Sequence, residues 1–350
     1  MNTRYISIDK DNIDEKLIGE AGDVIRSGGL VAFPTETVYG LGGDALCAGS
    51  SRKIYEAKGR PSDNPLIVHI ACLDDLYKVT RTVPPEALAL ADRYWPGPLT
   101  MIFEKSDAVP YETTGGLDTV AVRFPSHPVA KALIKAAGGF VAAPSANLSG
   151  RPSPTSGKHV FDDMNGRIDM IVDSGDCDIG LESTIIDMTS AVPVMLRPGY
   201  VNEKMLSEVI GDVDKDPAVF GDGSSSALPR APGMKYRHYA PKGTLTIVSG
   251  SDENVRSFIR KKIDDKDSGK RIGVLASTGN AGHYSDADLV ADMGDAKSET
   301  DIASKLFATL RLCDERDIDE IYSEEFDTPE LGIAIMNRLI KAAGHNIIKV

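Results

Sequence analysis

Lys58-Gly-Arg60 sets two cations two residues apart at the end of a helical stretch, and Pro61-Ser-Asp-Asn64-Pro-Leu-Ile-Val-His69 follows at once. The prolines fix the path of the loop that carries Arg60. Asn64 then offers an amide, and His69 closes an apolar strand. Arg123 stands in Val120-Ala-Val-Arg-Phe-Pro, where a guanidinium on an apolar strand calls for an anion, either a protein carboxylate or a ligand. Phe33-Pro-Thr35-Glu-Thr37-Val-Tyr-Gly-Leu-Gly and Ala143-Pro-Ser145-Ala-Asn147-Leu-Ser-Gly-Arg-Pro-Ser153 both leave buried strands for loops rich in hydroxyls and amides, the places where functional residues concentrate. Glu182-Ser183-Thr184 and Arg197-Pro-Gly repeat the pattern. No Ser-His-Asp order and no close carboxylate pair accompanies them. Several fixed cations among small donors suit the positioning and charge neutralisation of phosphates and a carboxylate, which is what nucleotidyl transfer requires.

For three of these features the bland reading is a real competitor. Lys58 complements a helix C-terminus, where a cation is stabilised in any case. His69 on an apolar strand reads as a satisfied core histidine, and Arg123 as half of a structural salt bridge. Gly40-x-Gly42-x-x-Ala45 formally matches a dinucleotide fingerprint, but six residues separate its first glycine from the strand end, so the glycines read as a tight turn. Gly150 to Lys158 has six residues before Gly157-Lys158, ends in His159 and carries two prolines, so it is not a phosphate-binding P-loop.

Elements must hold these groups in place. Ile13, Leu17, Ala21, Val24 and Ile25 recur at helical spacing behind Asn12 as cap, and Gly28-Gly29 ends the helix. Strands are expected at 30–33, 66–70, 99–104, 120–124, 140–143, 168–172, 184–187 and 192–197, with helices at 51–58, 85–94 and 128–137. Several strands follow one another without a helical crossover, so antiparallel pairs stand beside parallel ones. From 244 onward strands at 245–248, 272–276 and 320–322 alternate with helices at 254–263, 301–311 and 329–342, the pattern of a small parallel sheet.

The 350 residues thus divide into a mixed α/β domain over 10–212, a linker over 213–243 and a smaller α/β domain over 244–350. Between them Gly, Ser and Pro dominate, yet the linker's end, Ala231-Pro-Gly-Met-Lys-Tyr-Arg-His-Tyr-Ala-Pro241, packs charge and tyrosine unlike a passive spacer.

The composition, 41% hydrophobic and 26% charged, is that of a folded chain. The 39 Lys and Arg against 52 Asp and Glu leave −13, which repels nucleic-acid backbones and anionic lipid, so a nucleotide site must be a local basic pocket. No apolar run spans a bilayer and the N-terminus lacks a signal-peptide core, so a cytoplasmic protein with no membrane partner is expected. Four scattered cysteines are expected to be reduced and mostly buried, and no His or Cys spacing suggests a metal site built from side chains.

Taken together, Phe-Pro-Thr-Glu-Thr-Val-Tyr-Gly-Leu-Gly, Lys58-x-Arg60, Asn64-Pro-Leu-Ile-Val-His69, Trp95-Pro-Gly-Pro-Leu-Thr, Val-Arg123-Phe-Pro, Pro144-Ser-Ala-Asn147-Leu-Ser-Gly and the linker's Pro-Gly-Met-Lys-Tyr-Arg-His-Tyr-Ala-Pro resemble the YrdC-like threonylcarbamoyl-AMP synthases in their long two-domain form. The match runs in order through the first domain and the linker; beyond about 243 it is one of architecture only.

The resemblance implies a YrdC-like N-terminal domain with a twisted mixed sheet and flanking helices, and a Rossmann-like parallel C-terminal domain. It implies a reaction of ATP, L-threonine and bicarbonate or carbon dioxide, with Mg²⁺ accompanying ATP, that gives threonylcarbamoyladenylate and pyrophosphate. The product passes to a tRNA threonylcarbamoyl transferase complex for modification at position 37. By the same resemblance Thr37, His69, Arg123, Ala143 and Ser183 contact threonine. Arg60, Asn64, Thr119, Ser145, Ser153, Arg197 and a linker tyrosine, Tyr239 or Tyr236, contact the nucleotide. Lys58, Arg60, Ser145 and Asn147 form the reaction centre, and Lys235–Tyr239 is the expected lid over a water-labile product. Two other readings stay open: a module that contacts tRNA weakly, and a carbamoyl transferase, against which the lack of companion acylphosphatase or zinc-finger segments counts.

Overall fold

The computed structural model describes residues 2–217, 238–266, 269–295, 298–326 and 328–350. They fall into two units, one of 2–149, 153–178 and 182–217 and the other of 150–152, 179–181 and 238 onward. The expected linker segment 218–237, with Tyr236 and most of the expected lid, lies outside the described residues.

In the first unit the strands are β1 (Arg4–Ser7), β2 (Val31–Phe33), β3 (Gly40–Asp44), β4 (Ile67–His69), β5 (Leu99–Glu104), β6 (Thr119–Arg123), β7 (Val141–Ala142), β8 (Met170–Asp173), β9 (Thr184–Asp187), β10 (Val194–Arg197) and β11 (Asp214–Lys215). They form one mixed sheet in the order β1-β8-β2-β3-β7-β4-β6-β5-β9-β10-β11. β4 runs parallel to β6, while β5 lies antiparallel to β6 and parallel to β9. Parallel and antiparallel ladders alternate because the chain returns to the sheet through short loops as well as through helices.

Alternation along each strand splits the core between the two faces. Val68, Val122, Met101, Ile186 and Met195 join the large cluster beneath the helices Ala48–Lys58 and Pro85–Tyr94. On the other face, Val31, Phe33, Val141 and Val172 pack under the helix pair Glu15–Arg26 and Pro128–Ala136. That pair approaches closely at Gly22, where a Cβ would lie 2.7 Å from Ala136. Farther along this face, Ile67, Ala121, Ile102, Ile185 and Leu196 form a separate small cluster made of strand residues alone.

Three expectations are corrected. The first helix is capped by Asp14, whose carboxylate accepts the amides of Lys16 and Leu17; Asn12 instead bridges to Asp9. Asp wins because its acceptor sits directly before the first turn, where free amides and the helix dipole favour a negative group. The stretch Gly40-Leu-Gly-Gly-Asp44 is strand β3 between β2 and β7 rather than a turn. Gly42 is needed for close approach: a Cβ there would meet Val141 at 2.8 Å and the Phe33 ring at 2.9 Å. The cysteines are all free, but Cys47 and Cys72 are exposed and only Cys177 and Cys313 are buried. Cys47 caps the helix Ala48–Lys58 and Cys72 precedes a 3₁₀ turn, both surface positions that periodicity does not reveal.

The second unit holds β12 (Thr244–Ser249), β13 (Ile272–Ala276), β14 (Leu289–Asp292), β15 (Glu320–Glu324) and β16 (Ile347–Lys349), all parallel in the order β14-β13-β15-β12-β16. The helices Asp252–Asp264, Glu299–Glu315 and Gly332–Ala343 connect them, which is the Rossmann-like arrangement. β14 and β16, short and partly exposed, lack the apolar run that marks the three inner strands.

Candidate active site

The first unit gathers its polar side chains on the face that carries the small strand-only cluster. Register brings them there. His69 on β4 is the partner of Arg123 on β6, and Arg123 is the partner of Thr100 on β5. The Thr100 hydroxyl lies 2.8 Å from that of Ser183, and Arg197 at the end of β10 donates to the Ser183 carbonyl at 3.0 Å and its hydroxyl at 3.2 Å. Neighbouring strands are about 4.8 Å apart, so these residues form a continuous polar row across four strand spacings.

Arg123 is buried, and its Nη2 lies 2.8 Å from Oε1 of Glu36, a residue left without a role in the sequence reading. Burial by itself would raise the Glu36 carboxyl, but the adjacent Arg123 charge outweighs it and holds the carboxyl low. The structural-salt-bridge reading of Arg123 is therefore realised, while the guanidinium keeps further donors. His69 is also buried, with Nδ1 3.1 Å from the Ile67 carbonyl. Desolvation and then the neighbouring Arg123 push its pKa down to about 3, so the ring is neutral. Thr37 is fully buried beside Thr35, hydroxyl to hydroxyl at 2.9 Å. Ala143 closes this end, its amide bonded to the Ile67 carbonyl at 2.9 Å.

A second polar cluster forms around Lys58. The helix Ala48–Lys58 stops there because Gly59 adopts left-handed φ 61, which leaves Lys58 in the last turn. Its ammonium donates to the backbone carbonyls of Ser145 and Asn147, and Ser145 Oγ donates to Asn147 Oδ1 at 2.5 Å. The loop 143–147 is pinned in turn to the strand that leaves Thr37: Leu41 N bonds Pro144 O and Ala146 N bonds Tyr39 O, both at 2.8 Å. Arg60, half-buried, curls back to the carbonyls of Asn64 at 3.3 Å and Pro65 at 3.1 Å. Asn64 is 2% exposed, yet its Oδ1 has no partner.

Thr119 begins β6 and Arg123 ends it, on the same face because side chains four apart on a strand point alike. About 13 Å separates them at the usual strand rise. Asn64, just before β4, belongs to the Thr119 end and His69 to the Arg123 end. Between the two polar ends lie Ile67, Ala121 and Ile102. Ser153 is buried and donates to Glu182 Oε1 at 2.5 Å, next to Ser183. Tyr239 belongs to the second unit, where its ring stacks 5.0 Å from Phe307.

So the structure sets His69, Arg123, Ser183 and Arg197 in one row, with Ala143 and His69 both bonded to the Ile67 carbonyl and Thr37 next in sequence to the Glu36 that pairs with Arg123. It gathers Lys58, Ser145 and Asn147 separately. The sequence motifs contain Glu36, Thr100 and Glu182 without giving any of them a role. The available signal for Glu36 is an acidic residue three positions beyond a buried strand, within the quoted motif.

The chain that builds this site is similar to known proteins along nearly its whole length. Residues 23–199 match the Sua5/YciO/YrdC family model, described as telomere recombination, and residues 201–344 match that of the threonylcarbamoyl-AMP synthase C-terminal domain. The threonylcarbamoyl-AMP synthase of Pyrococcus abyssi is 49% identical, over 97% of this chain and 98% of its own. The chain belongs to the threonylcarbamoyl-AMP synthase family. The Bacillus subtilis member is 46% identical over 97% of both chains. The crystal structure of P. abyssi Sua5 complexed with L-threonine superposes with a TM-score of 0.93 at 47% identity, covering 99% of this chain and all of that one. Family membership makes the protein an enzyme of nucleotidyl transfer that forms threonylcarbamoyl-AMP.

Proposed function

We propose that L-threonine occupies the His69–Arg123 end of the sheet face that carries the strand-only cluster and ATP the Asn64–Thr119 end, so that the two meet beside Lys58. The observation that carries this is the polar, apolar, polar sequence along β4 and β6 on a half-face whose cluster contains no helix. The L-threonine complex of P. abyssi Sua5 supports threonine as the amino acid bound.

Arg123 grips the threonine carboxylate through two donors, while Thr37, Ala143 and Ser183 fix the remainder of the amino acid. The amine, freed of its proton, captures carbon dioxide derived from bicarbonate as a carbamate. The carbamate oxygen attacks the α-phosphorus of ATP and pyrophosphate departs. Lys58 and Arg60 stabilise charge on the phosphoryl oxygens, and Ser145 and Asn147 hold the Lys58 ammonium in advance of the reaction. Asn64 and Thr119 hold the nucleotide at their end, and Ser153 and Arg197, set beside Glu182 and Ser183, reach it from the amino-acid end. No protein adduct is needed.

Among the described residues no three His, Cys, Asp or Glu side chains are grouped to hold a metal. Mg²⁺ enters with the ATP phosphates, where it neutralises their charge. The protein works in the cytoplasm, and its product goes to the transferase complex that modifies position 37 of tRNA.

Pyrophosphate release in the presence of ATP, with threonine or bicarbonate omitted in turn, tests the reading. Release that needs both compounds is expected, and release with ATP alone refutes it. Arg123→Lys keeps the charge but loses the planar fork; it is expected to raise the threonine KM about tenfold or more with the ATP KM little changed.

A further inference from the structure

Glu36 brings to the Arg123 end a carboxylate that the reaction as written leaves without a task. It is 5% exposed, and neither oxygen has an aligned hydrogen-bond partner. Nη2 of Arg123 pairs with Oε1 by charge at 2.8 Å, without an aligned hydrogen bond. Buried polar atoms left unmatched in a native core are few, and each calls for an explanation. A carboxylate and a guanidinium in contact, each with hydrogen-bonding capacity to spare, complement a zwitterion: the substrate carboxylate meets Arg123 and the substrate ammonium meets Glu36.

We propose that Glu36 is a catalytic residue whose carboxylate receives the α-ammonium of the amino-acid substrate and takes one proton from it. The N–H bond breaks with its electron pair left on nitrogen, and an O–H bond forms on Glu36. The neutral amine is then ready for its one-carbon partner. This rests on the placement of the amino acid at Arg123.

The groups that face Glu36 favour it over the alternatives. Arg123 comes from β6, His69 from β4, His127 from the head of the helix Pro128–Ala136 and Cys177 from the loop after β8. Burial, with Arg123 beside it, makes His69 too weak a base. Burial lowers His127 in the same direction and keeps the Cys177 thiol protonated. Among these groups only Glu36 is negative at neutral pH. Before substrate arrives, Arg123 holds it ionised. A second carboxylate on that guanidinium weakens the hold of Arg123 on Glu36 while the substrate ammonium opposes the rise, so the proton reaches Glu36 as capture by the one-carbon partner removes the neutral amine.

The test is pyrophosphate release by the full chain from pH 6.5 to 9.5 for wild type, Glu36→Gln and Arg123→Lys. Glu36→Gln is expected to lose about 100-fold or more in kcat at pH 7. Its rate should climb about tenfold per pH unit as free amine appears, while the wild type stays flat. Turnover within about threefold of wild type, or a loss that is the same at every pH, overturns the proposal. If a melting curve shows Glu36→Gln unfolded, Glu36→Asp decides: a slower rate with a flat profile supports the carboxylate, and a rising profile removes it. A threonine KM unchanged in Arg123→Lys sinks the placement of the amino acid and this proposal with it. A raised KM beside an unaffected Glu36→Gln sinks Glu36 alone.

Discussion

His69 and Arg123 occupy paired positions on the neighbouring parallel strands β4 and β6, so a buried imidazole sits directly beside a buried guanidinium. Desolvation and that cation keep the ring unprotonated down to about pH 3, whereas in the unfolded chain it titrates near 6.5.

The sign of the resulting pH dependence follows. Above about pH 6.5 both states hold a neutral ring and stability is unaffected; below it the unfolded state takes up a proton that the folded state refuses. Stability is therefore lost as pH falls from about 6.5 toward about 3. Between pH 7 and pH 5 wild type should lose roughly 2 kcal/mol more than His69→Gln, measured by urea unfolding at each pH. Equal losses in the two proteins would show that the ring protonates freely in the folded state.

Lys58 is fixed by the carbonyls of Ser145 and Asn147 before any substrate arrives. Lys58→Ala should accordingly lower kcat by about 100- to 1,000-fold with modest changes in either KM, the pattern of a group that acts on developing charge. Steady-state pyrophosphate release checks it, and full activity would undo the role.

Asn64 is buried with an orphan Oδ1. Removing an unpaired acceptor relieves its desolvation penalty, which offsets the lost packing. Asn64→Ala should leave Tm within about 3 °C of wild type while raising the ATP KM several-fold. A large drop in Tm with unchanged ATP KM would make Asn64 a structural residue.

Gly199, two residues after Arg197, has no room for a side chain: a Cβ would meet Thr184 N at 2.5 Å and Glu182 O at 2.9 Å. Gly199→Ala must push on the segment that holds Ser183 against Arg197. A loss of about 1–3 kcal/mol is expected, together with reduced turnover, by denaturant unfolding and activity on the same preparation. Wild-type stability would show that the segment yields freely.

Much of this architecture could be read from residue order. The spacing predicts the helix Pro85–Tyr94 and the strands Leu99–Glu104 and Thr184–Asp187 with their observed limits, because propensity and local patterning agree there. It misses β3, since three glycines in five residues contradict strand propensity and only the close packing of Val141 and Phe33 explains them. It misses β1 and β11 as well, which are short, exposed edge strands with little alternation to detect.

For the site, residue types and motifs single out the candidates: Lys58-x-Arg60, Asn64, His69, Arg123, Ser145 and Asn147 stand out in the chain as written. Tertiary structure decided who stands beside whom. His69 and Arg123 are 54 positions apart and Glu36 and Arg123 are 87 apart, and nothing local sets those encounters. Strand order and register do, and they are fixed by which faces can be buried together across the whole sheet, a property of the assembled core rather than of any segment.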